Sequence, residues 1–155
     1  MIDHGFNNQF LHCEFFMIDG DFKLVEVNGR IDPSLPPVYN IVYENGDSWQ
    51  ALLHLGSGKK VTAPKHNGML GMCGYIQTFA ADIAENLLDF DEVAKHPIMM
   101  RTLCSPKEMV EQTSDIYATA LAETCLTGYT VDDLIKRHHE LCKRVLKKPD
   151  LTPWE

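Results

Sequence analysis

Residues 10–30 read FLHCEFFMIDGDFKLVEVNGR. Two apolar runs, 9–18 and 22–28, flank Asp19-Gly20-Asp21, and Asp-Gly between such runs is a strong hairpin signal. Each run carries one glutamate in its middle, Glu14 and Glu26. Loop length decides which residues face each other. If Asp19-Gly20-Asp21 is a three-residue loop, Ile18 pairs with Phe22, Phe16 with Leu24, Glu14 with Glu26 and His12 with Asn28. Side chains alternate along a strand, so His12, Glu14, Glu26 and Asn28 then share one face. A two-residue loop at Asp19-Gly20 would pair Glu14 with Val25 and send the glutamates to opposite faces. Gly20 suits the left-handed position of a three-residue loop, which favours the first register.

Like charges directly opposite in a sheet are destabilising, so this register demands a compensation. A divalent cation supplies one, because a hard cation takes several oxygen ligands and Glu14, Glu26 and the Asn28 carbonyl offer them from one face. A proton shared by the glutamates is another. A solvated polar face on a half-exposed hairpin is the plainest. Spacing alone leaves all three open.

The chain has 155 residues, enough for one domain with a sizeable core, and a single domain over 1–155 is expected. Apolar residues make up 45%, within the globular range, and the net charge is −8. The short basic cluster Lys143, Arg144, Lys147 and Lys148 suits a helix C-terminus. With no larger basic stretch, nucleic-acid binding is not the expected main function. Five cysteines (Cys13, Cys73, Cys104, Cys125 and Cys142) form an odd set without a CxxC pair. Reduced thiols in a cytoplasmic protein are the simplest expectation. Residues 1–9 are polar and lack the basic start of a signal peptide, and no apolar run reaches membrane-spanning length.

Along the chain, three prolines make Gly29–Pro37 an irregular segment, and 38–44 can form a short helix or strand. Asn45-Gly46 breaks it. Asp47 or Ser48 then caps a helix through Trp49, Leu52, Leu53 and Leu55, stopped at Gly56. Gly56-Ser57-Gly58-Lys59-Lys60 lacks the spacing and the preceding strand of a phosphate loop, and reads as a helix stop. Gly68–Phe79 suits a strand with close backbone approaches. The acidic stretch 83–93 is a connecting helix or loop. Strands are expected over 97–103 and 116–124, with helix as the alternative in the second.

The last element is the clearest. Thr130 caps a helix with Asp132 and Asp133 in its first turn, and Val131, Leu134, Ile135, His138, Leu141, Cys142 and Val145 follow helical spacing. Basic residues and Pro149 close it. His138 and His139 point about 100° apart on a helix and cannot share one ion well. Together these elements predict an α+β or mixed α/β domain.

His12-Cys13-Glu14, the turn at Gly20 and Val25-Glu26-Val27-Asn28-Gly29-Arg30-Ile31 resemble the metal-binding end of the ATP-grasp superfamily, with its h-x-E strand, hairpin and E-x-N-x-R strand end. Gly46-Asp47 with the Trp49 helix, and 118–126 followed by Thr127-Gly128-Tyr129-Thr130-Val131-Asp132-Asp133, are similar to the C-terminal part of its carboxylate–amine ligase branch. In that branch a G-x-T-x-E-E sequence starts a late helix. Here aspartates stand in place of the glutamates.

The resemblance implies an α+β ATP-grasp C-terminal lobe with an antiparallel sheet and flanking helices. It implies that Glu14 and Glu26 hold one Mg²⁺, that Glu26 and Asn28 hold a second, and that ATP phosphates are bridged there. It places Arg30 against a substrate carboxylate or acyl phosphate, which the planar guanidinium fork suits. The implied reaction activates a small carboxylate with ATP and passes it to an amine. His12 faces the same side, with a structural role expected. The upstream lysine-bearing strands and glycine-rich lid of the family have no counterpart in this sequence. The expectation is therefore a ligase fragment, or a subunit completed by a partner or a homo-oligomer, inactive alone. The alternative is a non-catalytic interaction module on the same scaffold.

Overall fold

The structure, a computed structural model, describes residues 9–96, 100–112 and 118–148. The first residues of the two strands expected over 97–103 and 116–124, and Pro149, lie outside them. The chain divides into two compact units, Met1–Asn67 and Gly68–Glu155.

The first unit opens with the hairpin, β1 (His12–Ile18) and β2 (Asp21–Asn28). Asp19 and Gly20 both have positive φ, 52° and 85°. That is the signature of a two-residue type I′ turn, whose twist matches the flanking strands. The three-residue loop expected from sequence is thus corrected: Ile18 pairs with Asp21, Met17 with Phe22, Phe16 with Lys23 and Phe15 with Leu24. The ladder then slips by one residue. Val25 is left without a partner, and Glu14 faces Glu26, Cys13 faces Val27 and His12 faces Asn28. One extra residue in one strand is a β-bulge, which re-aims the side chains beyond it.

The helix α1 (Leu35–Val42) begins earlier than expected, with proline in its first turn. First-turn amides have no intrahelical partner, so Pro36 and Pro37 cost nothing there. The irregular segment therefore ends at Ser34. Past α1, Asn45 has φ 54°. A Cβ on Gly46 would lie 2.9 Å from Tyr43 Cβ, so only glycine fits that turn. Asp47 caps α2 (Ser48–Gly56) by accepting from the Gln50 amide at 2.9 Å. Asn40 ties α1 to α2 by accepting from the Ser48 amide at 3.0 Å.

In the second unit the elements are β3 (Leu70–Thr78), β4 (Asp82–Ile83), α3 (Ala84–Leu87), α4 (Phe90–Ala94), β5 (Met100–Thr102), β6 (Met109–Val110), β7 (Thr119–Gly128) and α5 (Val131–Val145). An antiparallel sheet has the order β3-β7-β5, and β4 with β6 makes a small ribbon. The stretch read as strand or helix after 116 is the central strand, and the acidic stretch holds two short helices. Ile76, Leu121 and Leu126 from the sheet pack with Leu134, Leu141 and Val145 from α5 and with Leu87 and Leu88 in one buried cluster. Thr130 caps α5 by accepting from the Asp133 amide at 3.2 Å. Val131 and Ile135, assigned to the apolar stripe from sequence, are exposed, so the buried stripe narrows to Leu134, His138, Leu141, Cys142 and Val145. The fold is α+β with antiparallel sheets. Among the described residues no helix is long and apolar enough to cross a membrane.

Candidate functional site

The base of the hairpin gathers polar side chains that the apolar strands would otherwise not carry. Direct cross-strand pairing puts Glu14 beside Glu26 and His12 beside Asn28. The Asn28 amide donates to Glu26 Oε1 at 2.6 Å, within the same strand. His12 Nε2 lies 3.7 Å from Glu14 Oε1 and 3.5 Å from Asp32 Oδ2, so the imidazole stands between two carboxylates. His12 Nδ1 is buried and has no hydrogen-bond partner among the described residues.

Asp32 was not singled out from sequence. Its carboxylate accepts from the backbone amide of Ser34 at 2.8 Å and from the Ser34 hydroxyl. Those two bonds hold the Asp32 carboxyl below its ordinary range, and the charges of His12 and Arg30 push the same way. The signal was present in Asp32-Pro33-Ser34, a sequence whose short polar side chains fold back on their own backbone. Asp32 and Ser34 line an open cleft of about 350 Å³ with His12, Cys13, Phe10 and Leu35.

Of the residues expected at a site, Glu14, Glu26 and Asn28 stand together on one face with His12. Arg30 does not point at them. Its guanidinium donates to the Ile31 carbonyl at 3.4 Å. Among the described residues no group of three His, Cys, Asp or Glu side chains is gathered closely enough to hold an ion. The donor set itself is made of hard oxygens: two carboxylates and an amide carbonyl, on strands open to solvent. Mg²⁺ keeps several waters and commonly takes one or two carboxylates together with phosphate oxygens, so these residues fit it better than they fit a softer metal.

The other face of the hairpin is apolar. Phe15 and Phe22 meet edge to face, with ring centroids 6.2 Å apart, next to Met17 and Leu24. All of these are more than half exposed. The hairpin thus has a carboxylate face at its base and a hydrophobic face behind it.

His138 serves a different purpose. It is buried between α5 and the sheet, with Nδ1 3.1 Å from Thr124 Oγ1 and Nε2 3.6 Å from Cys142 Sγ. Thr124 in turn donates to the Gly74 carbonyl at 3.2 Å. Because Thr124 donates to Gly74, its oxygen is open to accept from an Nδ1–H, and in that neutral tautomer Nε2 can accept from the Cys142 thiol. Burial, and next the neighbouring His139, lower its pKa. This is a satisfied core histidine and not half of a metal pair.

No protein-family model matches the chain, and no curated protein matches it significantly.

Proposed function

We propose that this chain is the Mg·ATP-binding C-terminal part of an ATP-grasp carboxylate–amine ligase. The observation that supports the reading is the pairing of Glu14 with Glu26 across β1 and β2, with the Asn28 amide on Glu26. Two carboxylates held in opposition have a physical reason to stay there if a divalent cation sits between them. Glu14 and Glu26 would bind one Mg²⁺, and Glu26 with the Asn28 carbonyl a second. When bound, the ions would offset the negative charge of ATP phosphates as it develops during phosphoryl transfer.

The chain's own residues then have distinct tasks. Glu26 would serve as a ligand to both ions. Asn28, whose amide N–H donates to Glu26, would offer its carbonyl oxygen to the second. Arg30 swings from the Ile31 carbonyl to the oxyanion of a carboxylate or acyl phosphate, a movement that the long exposed side chain permits. His12, between Glu14 and Asp32, orients the first carboxylate. Calorimetric titration with ATP in the presence and absence of Mg²⁺ tests the assignment. Glu26→Gln should abolish the Mg²⁺-dependent part of the binding. Normal Mg·ATP binding by that variant removes the assignment.

A second reading is an interaction module that keeps this scaffold without the reaction. The exposed apolar face of Phe15, Met17, Phe22 and Leu24 favours it, because such a face is suited to docking. Amine-dependent release of ADP eliminates this second reading.

A further inference from the structure

Cys73 and Cys125 are direct partners in the β3–β7 ladder. Their neighbours Gly74 and Thr124 meet His138 of α5. Side chains alternate in a strand, so the two cysteines point to the opposite face of the sheet, the face shared with Tyr75 and Glu123. Directly opposed residues in an antiparallel pair have Cα atoms about 4.5–5.5 Å apart, within the range that a disulfide spans. The Cys73 thiol is close enough to Cys125 to lower its pKa. No change of register is needed to join them.

We propose that Cys73 and Cys125 are a redox-modification site, closing to a reversible cross-strand disulfide when the protein meets a peroxide. The Cys125 thiolate attacks one peroxide oxygen, the O–O bond breaks, and hydroxide leaves. Cys125 is then a sulfenic acid. The Cys73 thiolate attacks that sulfur, the S–O bond breaks, and a second hydroxide leaves. The two hydroxides take up the two thiol protons, so two thiols and one peroxide become one disulfide and two waters. The sulfurs lose two electrons and the peroxide gains them.

The other cysteines lack this arrangement. The Cys104 thiol donates to the Leu121 carbonyl at 3.6 Å, and Cys142 is bonded to His138. Burial pushes Cys104 up, and Cys142 up to about 11, which keeps both as unreactive thiols. The neighbouring Cys73 thiol moves Cys125 the other way, toward thiolate. Cys13 lies in the other compact unit. A closed disulfide would staple the central strand β7 to β3 on the face turned away from α5, and dithiol reductants would reopen it. Bonds of this cross-strand kind, when strained or exposed, are the labile ones.

The test is to treat the full chain with hydrogen peroxide, alkylate the remaining thiols with N-ethylmaleimide, and map the peptides. The expected product links Cys73 to Cys125 and has lost the two thiol hydrogens. Cys13, Cys104 and Cys142 stay alkylated, and dithiothreitol reverses the change. In Cys73→Ser, dimedone should trap a sulfenic acid on Cys125. Full alkylation of Cys73 and Cys125 under peroxide that already oxidises another cysteine overturns the proposal. So does a linked peptide that joins either of them to a different cysteine.

Discussion

Glu26 stands opposite Glu14 because Val25 is left out of the ladder between Glu26 and Leu24. The tight turn at Asp19-Gly20 sets one register near the tip, and the bulge sets another at the base. With the two-residue turn in place, the full-length strand reaches this pairing only by leaving Val25 out of it.

Deletion of Val25 removes the bulge and leaves Phe15 opposite Leu24 and Glu14 opposite Glu26. The variant should keep the cross-strand nuclear Overhauser contacts of both pairs, with a less twisted hairpin. Deletion of Lys23 instead shortens the strand on the turn side of the bulge and should break the pairing of Phe15 with Leu24. Loss of the Glu14–Glu26 contact in the Val25 deletion contradicts the bulge assignment.

Gly74→Ala should destabilise the second unit by about 1–3 kcal/mol, the usual cost of overpacking a filled core. The new Cβ would lie 2.8 Å from His138 Cε1 and 3.2 Å from Thr124 Oγ1. The ring cannot retreat, because it is buried between the sheet and α5. Urea unfolding midpoints for the two proteins measure the effect.

Stability should fall with acid in a window set by His138. Its folded pKa lies below the ordinary 6.5, from burial first and then from His139. Above pH 6.5 neither the folded nor the unfolded state is protonated there, and the contribution is complete. As pH drops through that value the unfolded state takes up a proton that the folded state refuses, so stability declines until the folded pKa is reached and is flat below it. Unfolding midpoints between about pH 7.5 and about pH 5 should show this slope, and His138→Gln should lose it.

Asp82 carries an acid-side dependence of its own. Lys148 Nζ lies 2.7 Å from its Oδ2, and bonds from Lys148, Asn86 and the Ile83 amide hold its carboxyl at about 2. The contribution is present above pH 3.8 and is lost as pH falls toward 2. Lys148→Ala should raise the Asp82 titration midpoint toward the ordinary carboxylate range, as read by carboxyl carbon-13 shifts.

Much of this structure was legible from local chemistry. Asp47 and Thr130 cap the helices that their side chains announce, because capping is decided within one turn. The strands β3 and β7 follow from apolar runs ended by glycine and polar residues. The hairpin pairing of Glu14 with Glu26 was reached through the wrong loop, since a longer loop and a shorter loop plus a bulge displace the register equally. Nothing in Leu24-Val25-Glu26 marks which residue is left unpaired, because a bulge answers to twist and packing across the strands. The same limit hid Asp32, whose approach to His12 depends on how the chain turns after β2. Val131 and Ile135 fit helical spacing but stay exposed, and only the sheet beneath α5 decides which part of an apolar stripe is covered.

The most direct test of the Mg·ATP reading is paramagnetic broadening by Mn²⁺, a stand-in for Mg²⁺, added with ATP to the isotope-labelled chain. Signals of Glu14, Glu26 and Asn28 should broaden first, added Mg²⁺ should restore them, and Glu26→Gln should prevent the effect. Broadening centred elsewhere, or equal in the wild type and in Glu26→Gln, would contradict it.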